Sequence, residues 1–338
     1  MKNEEKYTKF ALVREMMETP GIIRNFKLSK TDNVVEQIKK TQKVFMTGEG
    51  SSRIFPAKNV MTKAMKSGQD INLVTDGSFQ AVDYDLSDFV VFCASNSGQT
   101  KEVICLANSL KAKGHNNVYG LIANLDTKLE EISDQAFILS CGKEDAVAAT
   151  KSVAEQGLFY QALLGQVAGK AIDDKLAAAA DAFEGALTVD IDPAITEAIA
   201  KAGTIYFAGR NDGVAEELRL KTNEITRKKS DYLEGTYLLH GVEEVMKAGD
   251  AVILIDPYKS ELELIKQLLA DRAETNVFVI DTVDTIFPTI KVKDVGEFTT
   301  YAHLAAGWNV LVEVGMSLGL NLDKAERARK IGNLYEEE

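Results

Sequence analysis

Residues 89–100 read Phe89-Val90-Val91-Phe92-Cys93-Ala94-Ser95-Asn96-Ser97-Gly98-Gln99-Thr100. Six apolar residues in a row, without alternation, describe a strand buried on both faces, the mark of a parallel sheet. A polar turn rich in hydroxyls follows at once. From Lys101 to Leu110 the apolar residues Val103, Ile104, Ala107 and Leu110 fall at helical spacing. Strand, turn and helix start in this order leave free backbone N–H groups and the positive end of a helix dipole aimed at the turn. Gly98 lets the backbone approach closely, and a phosphate fits there. A serine-rich helix cap with no ligand is the plainer reading of the same turn.

The rest of the chain repeats the alternation. Short strands are expected at 44–46, 71–74, 118–123 and 137–140, with a long helix over 147–168. Residues 7–40 are expected to be helical and broken at Thr19-Pro20-Gly21. Residues 171–200 are alanine-rich and helical, and after them the order starts again. Thr204–Gly209 matches Lys43–Gly48, Asp250–Ile255 matches Asp88–Cys93, and Asn276–Ile280 matches Asn117–Leu121, at offsets of 161, 162 and 159 residues. A near-constant offset over three strands implies two copies of one α/β unit, each a doubly wound, mostly parallel sheet flanked by helices. The domains are placed at 1–170, with an N-terminal helical lead-in, and at 171–338. In the second copy Ser95–Thr100 is replaced by Asp256-Pro257-Tyr258-Lys259-Ser260-Glu261. Pro257 removes a donor and the two carboxylates repel an anion, so one phosphate site per chain is expected.

A chain of 338 residues, 45% hydrophobic and 27% charged, has enough apolar material for two cores. Its net charge of −12 argues against nucleic acid as a partner. Cys93, Cys105 and Cys141 lie far apart with no histidine beside them. They read as buried thiols of a reducing cytoplasm, and no metal site is expected. Residues 1–7 have no apolar run, so no secretion signal is expected. Leu304–Leu320 is short of the ~20 residues of a membrane span and contains Glu313, so it reads as a core helix. Gly48-Glu49-Gly50-Ser51-Ser52-Arg53 has Arg53 where a dinucleotide fingerprint needs its third glycine. The serine pair suits a single phosphate or sugar hydroxyls instead, and no cofactor is expected.

Glu217, Lys221 and Glu224 fall at i, i+4 and i+7 on one helix face. Such a face is either solvated or functional. His240 lies sixteen residues beyond Glu224, and a carboxylate with a histidine forms an acid/base pair usable near neutral pH. His115 sits in a loop, and His303 is expected in the core. Lys330, within Arg327-Ala328-Arg329-Lys330, is either solvated or an amine folded back over a site.

Taken together, these stretches resemble the double sugar-isomerase (SIS) domain family, specifically the isomerase half of glucosamine-6-phosphate synthase and its stand-alone relatives. The resemblance runs over nearly the whole chain. It starts at Val13–Pro20 and continues through Gly50-Ser51-Ser52, Ser95–Thr100, Val147-Ala148-Ala149-Thr150-Lys151, Leu220–Glu224, His240-Gly241 and the tail lysine. It implies two tandem SIS domains. Ser51, Ser52, Ser95, Asn96, Ser97 and Thr100, with Lys221, would hold a sugar 6-phosphate. Glu224 would move a proton between C1 and C2, and His240 would assist ring opening. Lys330 would contact the open-chain carbonyl or nitrogen, including as an imine. A homodimer is implied, in which His240 can reach the site from a neighbouring subunit.

Four positions depart from the family pattern. Asn96 replaces glutamine, Ala149 a serine, Val242 a proline after His240-Gly241, and Tyr237 a glutamate. A glutaminase half is not represented, and position 2 is Lys2, so ammonia from glutamine is not expected. Three functions follow as expectations. The first is an isomerase that converts glucosamine 6-phosphate to fructose 6-phosphate with ammonia release, or a related aldose–ketose isomerase. The second is a fructosamine 6-phosphate deglycase. The third is a non-catalytic sugar-phosphate-binding regulator.

Overall fold

The computed structural model describes residues 1–2 and 4–336. They contain two five-stranded sheets, and every strand pair in both is parallel. The first sheet is built from β1 (Lys43–Thr47), β2 (Asn72–Asp76), β3 (Val90–Ser95), β4 (Val118–Ile122) and β5 (Gln135–Ile138) in the order β2-β1-β3-β4-β5. The second uses β6 (Thr204–Gly209), β7 (Lys229–Glu234), β8 (Ala251–Ile255), β9 (Asn276–Asp281) and β10 (Thr289–Lys291) in the order β10-β9-β8-β6-β7. Read from its other edge, the second order is the first repeated. The strands at the centre are buried along their whole length, as their unbroken apolar runs require.

Strand pairing sharpens the repeat. Val44 pairs with Val90, and Ile205 pairs with Ala251, so β1 and β3 both map onto β6 and β8 at an offset of 161 residues. The offset of 162 read from sequence for the β3 copy is thus one residue too long. A slip of one reverses the face of every side chain in a strand, but β3 and β8 are buried on both faces, so composition cannot detect it. A second correction concerns the lead-in, where Pro20 lies inside one continuous helix, Ala11–Asn25. Proline removes one intrahelical donor. The Thr19 hydroxyl donates to the Glu15 carbonyl at 3.1 Å within the same turn. The break falls later, between Asn25 and Asp32, where Lys30 takes a left-handed conformation.

The chain divides into two compact units. One gathers residues 21–145 and 149–176 and the tail from Arg327 around the first sheet; the other gathers the lead-in to Pro20, residues 146–148 and 177–326 around the second. In the first unit the helix Lys151–Val167 is buried on all sides from Lys151 to Leu164 and packs against the helix Ile54–Lys66. In the second unit the helix Thr299–Ser317 is equally enclosed, with Trp308 fully buried against Phe183. Its Gly307 faces Leu218 of the helix Val214–Thr226, and a Cβ at position 307 would run into that side chain. The two helices therefore pack closely because residue 307 is glycine. Among the described residues no helix is long and apolar enough to cross a membrane.

Candidate functional site

In the first unit the strand order reverses between β1 and β3, since the chain leaves β1 toward β2 and β3 toward β4. In open parallel sheets the crevice at such a point, outside the carboxyl ends of the strands, is where ligands sit. Both hydroxyl-rich turns lie there. Gly48 ends β1 so close to β3 that a Cβ would stand 2.8 Å from the Ala94 carbonyl oxygen. Gly50 takes φ +55° and opens the short 3-10 turn Gly50–Ser52, with Ser51 buried and Ser52 partly exposed.

The turn after β3 is a self-bonded cluster of hydroxyls. Ser95 Oγ lies 2.8 Å from Thr100 Oγ1 and 3.4 Å from Ser97 Oγ, and it accepts from the Gly98 N–H at 3.1 Å. Gln99 N–H donates to Ser97 Oγ at 3.2 Å. Gly98 has φ +65°, and a Cβ there would run into Thr127, whose hydroxyl caps the helix Lys128–Ile132. Three hydroxyls thus meet just before the start of the helix Lys101–Ala112.

The tail from Arg327 packs on this unit. Its residues 333–335 run antiparallel to 99–101: Lys101 N–H donates to the Asn333 carbonyl at 3.0 Å, and Tyr335 N–H to the Gln99 carbonyl at 3.0 Å. The Lys101 donor at the first helical position is therefore taken by the tail. Lys330 lies 3.8 Å from a carboxylate oxygen of Glu144, and Asn96 Nδ2 donates to the same oxygen at 3.3 Å. Of the residues expected here, the structure brings Ser95, Ser97 and Thr100 into one cluster and ties Asn96 and Lys330 together through Glu144. Glu144 itself escaped the sequence analysis. Its only signal was an acidic residue six positions ahead of Thr150, at the entry to a helix.

In the second unit the helix Val214–Thr226 carries Glu217, Lys221 and Glu224. Lys221 Nζ is 2.6 Å from Glu224 Oε2 and 3.4 Å from Glu217 Oε1. The side chains of Lys221 and Glu217 are fully buried, while Glu224 is 29% exposed. At Glu217 and Lys221 the face is therefore desolvated. The Lys221 amine is committed to carboxylates. Glu224 keeps one edge open to solvent.

His240 follows a short 3-10 turn after β7, with its ring edge-on to Tyr237 at 6.5 Å. The ring is exposed, as are Tyr237 at 62% and Val245 at 64%. Among the described residues His240 and Glu224 are not bonded to one another. The residues that end or follow the strands of the second sheet form ion pairs of their own. Arg210 donates to the Asp256 carbonyl at 3.1 Å and stacks on Tyr258 at 3.9 Å, and Lys259 pairs with Asp281. His303 is buried, as expected, in the helix Thr299–Ser317. Cys93 and Cys141 are also buried, which pushes the Cys93 thiol up to about 12 and raises that of Cys141 too. Cys105 is only partly buried.

No family model matches the chain, and no curated protein matches its sequence. Solved structures do match. The C-terminal domain of glucosamine-fructose-6-phosphate aminotransferase from Francisella tularensis superposes with a TM-score of 0.77 at 18% identity, over 94% of this chain and 98% of that one. Glucosamine-6-phosphate deaminase from Thermotoga maritima gives 0.72 at 20% identity, over 96% and 100%. Tagatose-6-phosphate ketose/aldose isomerase from Escherichia coli gives 0.74 at 17%, over 94% and 95%. At such identities the likeness is one of fold. The fold of two parallel α/β sheets flanked by helices is shared along almost the entire length of each chain.

Proposed function

We propose that the chain is a phosphosugar isomerase acting on a 6-phosphorylated amino sugar, converting glucosamine 6-phosphate to fructose 6-phosphate with release of ammonia. The observation that carries this reading is the burial of Lys221 against Glu224. A protein that only binds a sugar phosphate needs the hydroxyl turn, but it has no use for a desolvated carboxylate–lysine pair, which is costly to bury. That the solved structures of like fold include a deaminase and isomerases of sugar phosphates agrees with it.

In this reading Ser95, Ser97 and Thr100, with Ser51 and Ser52, hold the phosphate through O–H and N–H donors. Asn96 lies beside them, and Lys221 acts through Glu224. His240 assists ring opening. Glu224 removes the proton from C2 of the open-chain aldehyde, and the C–H electron pair forms the C1–C2 double bond of an enolamine. The proton returns to C1, which leaves an imine at C2, and water hydrolyses that imine to the ketone and ammonia. The ammonium of Lys330 faces the open-chain carbonyl oxygen. The exposed ring of His240, flanked by exposed Tyr237 and Val245, supports a homodimer in which this loop docks on a second copy and delivers His240 to the partner's site.

The test is ammonia release from glucosamine 6-phosphate by the purified protein, with Glu224→Gln as the control. Release by the parent and not by the variant is expected, with sugar-phosphate affinity of the variant within about tenfold of the parent, since only proton transfer depends on the carboxylate. Equal release by both sinks the assignment of Glu224. One observation favours a second reading. Ala149 is a partly exposed residue with almost no side chain, which leaves room for the amino-acid part of a fructosamine 6-phosphate. Cleavage of that adduct, with no ammonia from glucosamine 6-phosphate, identifies a deglycase. Binding without turnover of either compound identifies a sensor.

A further inference from the structure

We propose that Glu144 is a positioning residue that holds the Lys330 amine, as an ammonium, beside the hydroxyl turn. It lies in the loop between β5 and the helix Lys151–Val167 and is 1% exposed. A carboxylate so deeply buried needs partners for both oxygens, and its two oxygens have different ones. Oε1 accepts from the N–H groups of Thr150 at 2.7 Å and Ser152 at 3.3 Å and from the Thr150 hydroxyl at 3.4 Å, an ordinary cap on a helix start. Oε2 accepts from Ser152 Oγ at 2.8 Å and Asn96 Nδ2 at 3.3 Å and faces Lys330 Nζ at 3.8 Å.

Capping alone would be served by Oε1. The second oxygen instead ties a residue of the hydroxyl turn to an amine of the tail. Lys330 is restrained from its other side as well, because three residues further on the tail is bonded to 99–101, and Asn333 Nδ2 donates to Glu102 at 2.9 Å. The tail backbone and the Glu144 carboxylate between them fix where the amine stands before any ligand arrives. A carboxylate at this distance favours the charged form of the amine. A charged Lys330 polarises the open-chain carbonyl by hydrogen bonding, and deprotonation must come first if it is to attack as a nucleophile. This role rests on the isomerase reading above, but the placement of the amine does not.

The amine can be followed without any substrate. Reductive methylation with ¹³C-formaldehyde labels the lysines of the intact protein, and loss of one resonance in Lys330→Arg assigns Lys330. It is expected to titrate at lower pH in Glu144→Gln than in the parent. Circular dichroism and thermal melting establish that the variant is folded. An unchanged Lys330 titration in a folded Glu144→Gln overturns the proposal. If that variant does not fold, the parent still decides, by acetic anhydride labelling at pH 8. Lys330 is expected to react several-fold more slowly than the exposed Lys66, and equal rates overturn the proposal.

If glucosamine 6-phosphate is turned over, a double-mutant cycle with Lys330→Met adds a second readout. Glu144→Gln is expected to lower kcat by about tenfold in the parent and by less than about twofold in Lys330→Met. Full multiplication of the two effects overturns the proposal. Absence of turnover counts against the isomerase reading alone, since the titration stands independently of it.

Discussion

The ammonium of Lys221 donates to Glu224 across 2.6 Å, and it does so from a position with no exposure to solvent. One turn earlier on the same helix, Glu217 stands 3.4 Å from the same nitrogen, also fully buried. Removing one partner from such a group leaves an uncompensated charge in a dry place, at a cost of about 3–5 kcal/mol. Lys221→Met is therefore expected to lower stability by about that amount, measured by urea denaturation. A variant as stable as the parent would show that the pair is hydrated in solution.

Ser95 contributes differently. Its hydroxyl meets those of Ser97 and Thr100 and accepts from Gly98 N–H, but the Gly98 N–H also approaches the Ser95 carbonyl at 3.2 Å. Ser95→Ala is thus expected to fold. Loss of a hydrogen bond to a charged ligand is worth about 1.5–3 kcal/mol, so affinity for glucosamine 6-phosphate should fall by about tenfold or more in a calorimetric titration. With turnover, the loss should appear in KM more than in kcat. Unchanged affinity would place the phosphate elsewhere.

At Gly98 the backbone itself is the constraint. Its φ of +65° is one that L side chains adopt rarely, and a Cβ would run into Thr127. Gly98→Ala is expected to destabilise the protein by about 1–3 kcal/mol and to weaken sugar-phosphate binding together with the displaced Ser97 and Thr100. Thermal melting and the same titration check both effects.

Acid should find His303 before the carboxylates. Burial holds its imidazole down at about 4, against the opposing fields of Asp256 and Asp294 and with that of Lys259. Above pH ~6.5 the ring is neutral in both the folded and the unfolded chain, and its contribution to stability is fully present. As pH falls, the unfolded chain takes up a proton first, so stability is lost between about pH 6.5 and 4, by about 3 kcal/mol in all. His303→Leu is expected to flatten that part of the profile of melting temperature against pH. An unchanged profile would assign the acid loss to other groups.

Much of this organisation is legible in local sequence because its causes are local. The apolar run of β3, the hydroxyl turn behind it and the helical spacing of Glu217, Lys221 and Glu224 are set by residues close together in the chain. Edge strands were less legible. β7, Lys-Ser-Asp-Tyr-Leu-Glu over 229–234, has only Leu233 fully buried, so it lacks the apolar run that betrays a central strand. Its pairing to β6 reveals it.

Sequence alone therefore determined two copies of a parallel α/β unit, one hydroxyl-rich turn after a central strand and a helix face bearing two carboxylates and a lysine. It could not decide whether that face is wet. Spacing sets which side chains share a face, but desolvation depends on what packs against it. The helix that bears the face packs, through Leu218 at Gly307, on the helix Thr299–Ser317 about ninety residues away in the chain. Glu144 is the same case. Asn96, Thr150, Ser152 and Lys330 are scattered over more than two hundred residues, and only the folded chain carries them to one buried carboxylate.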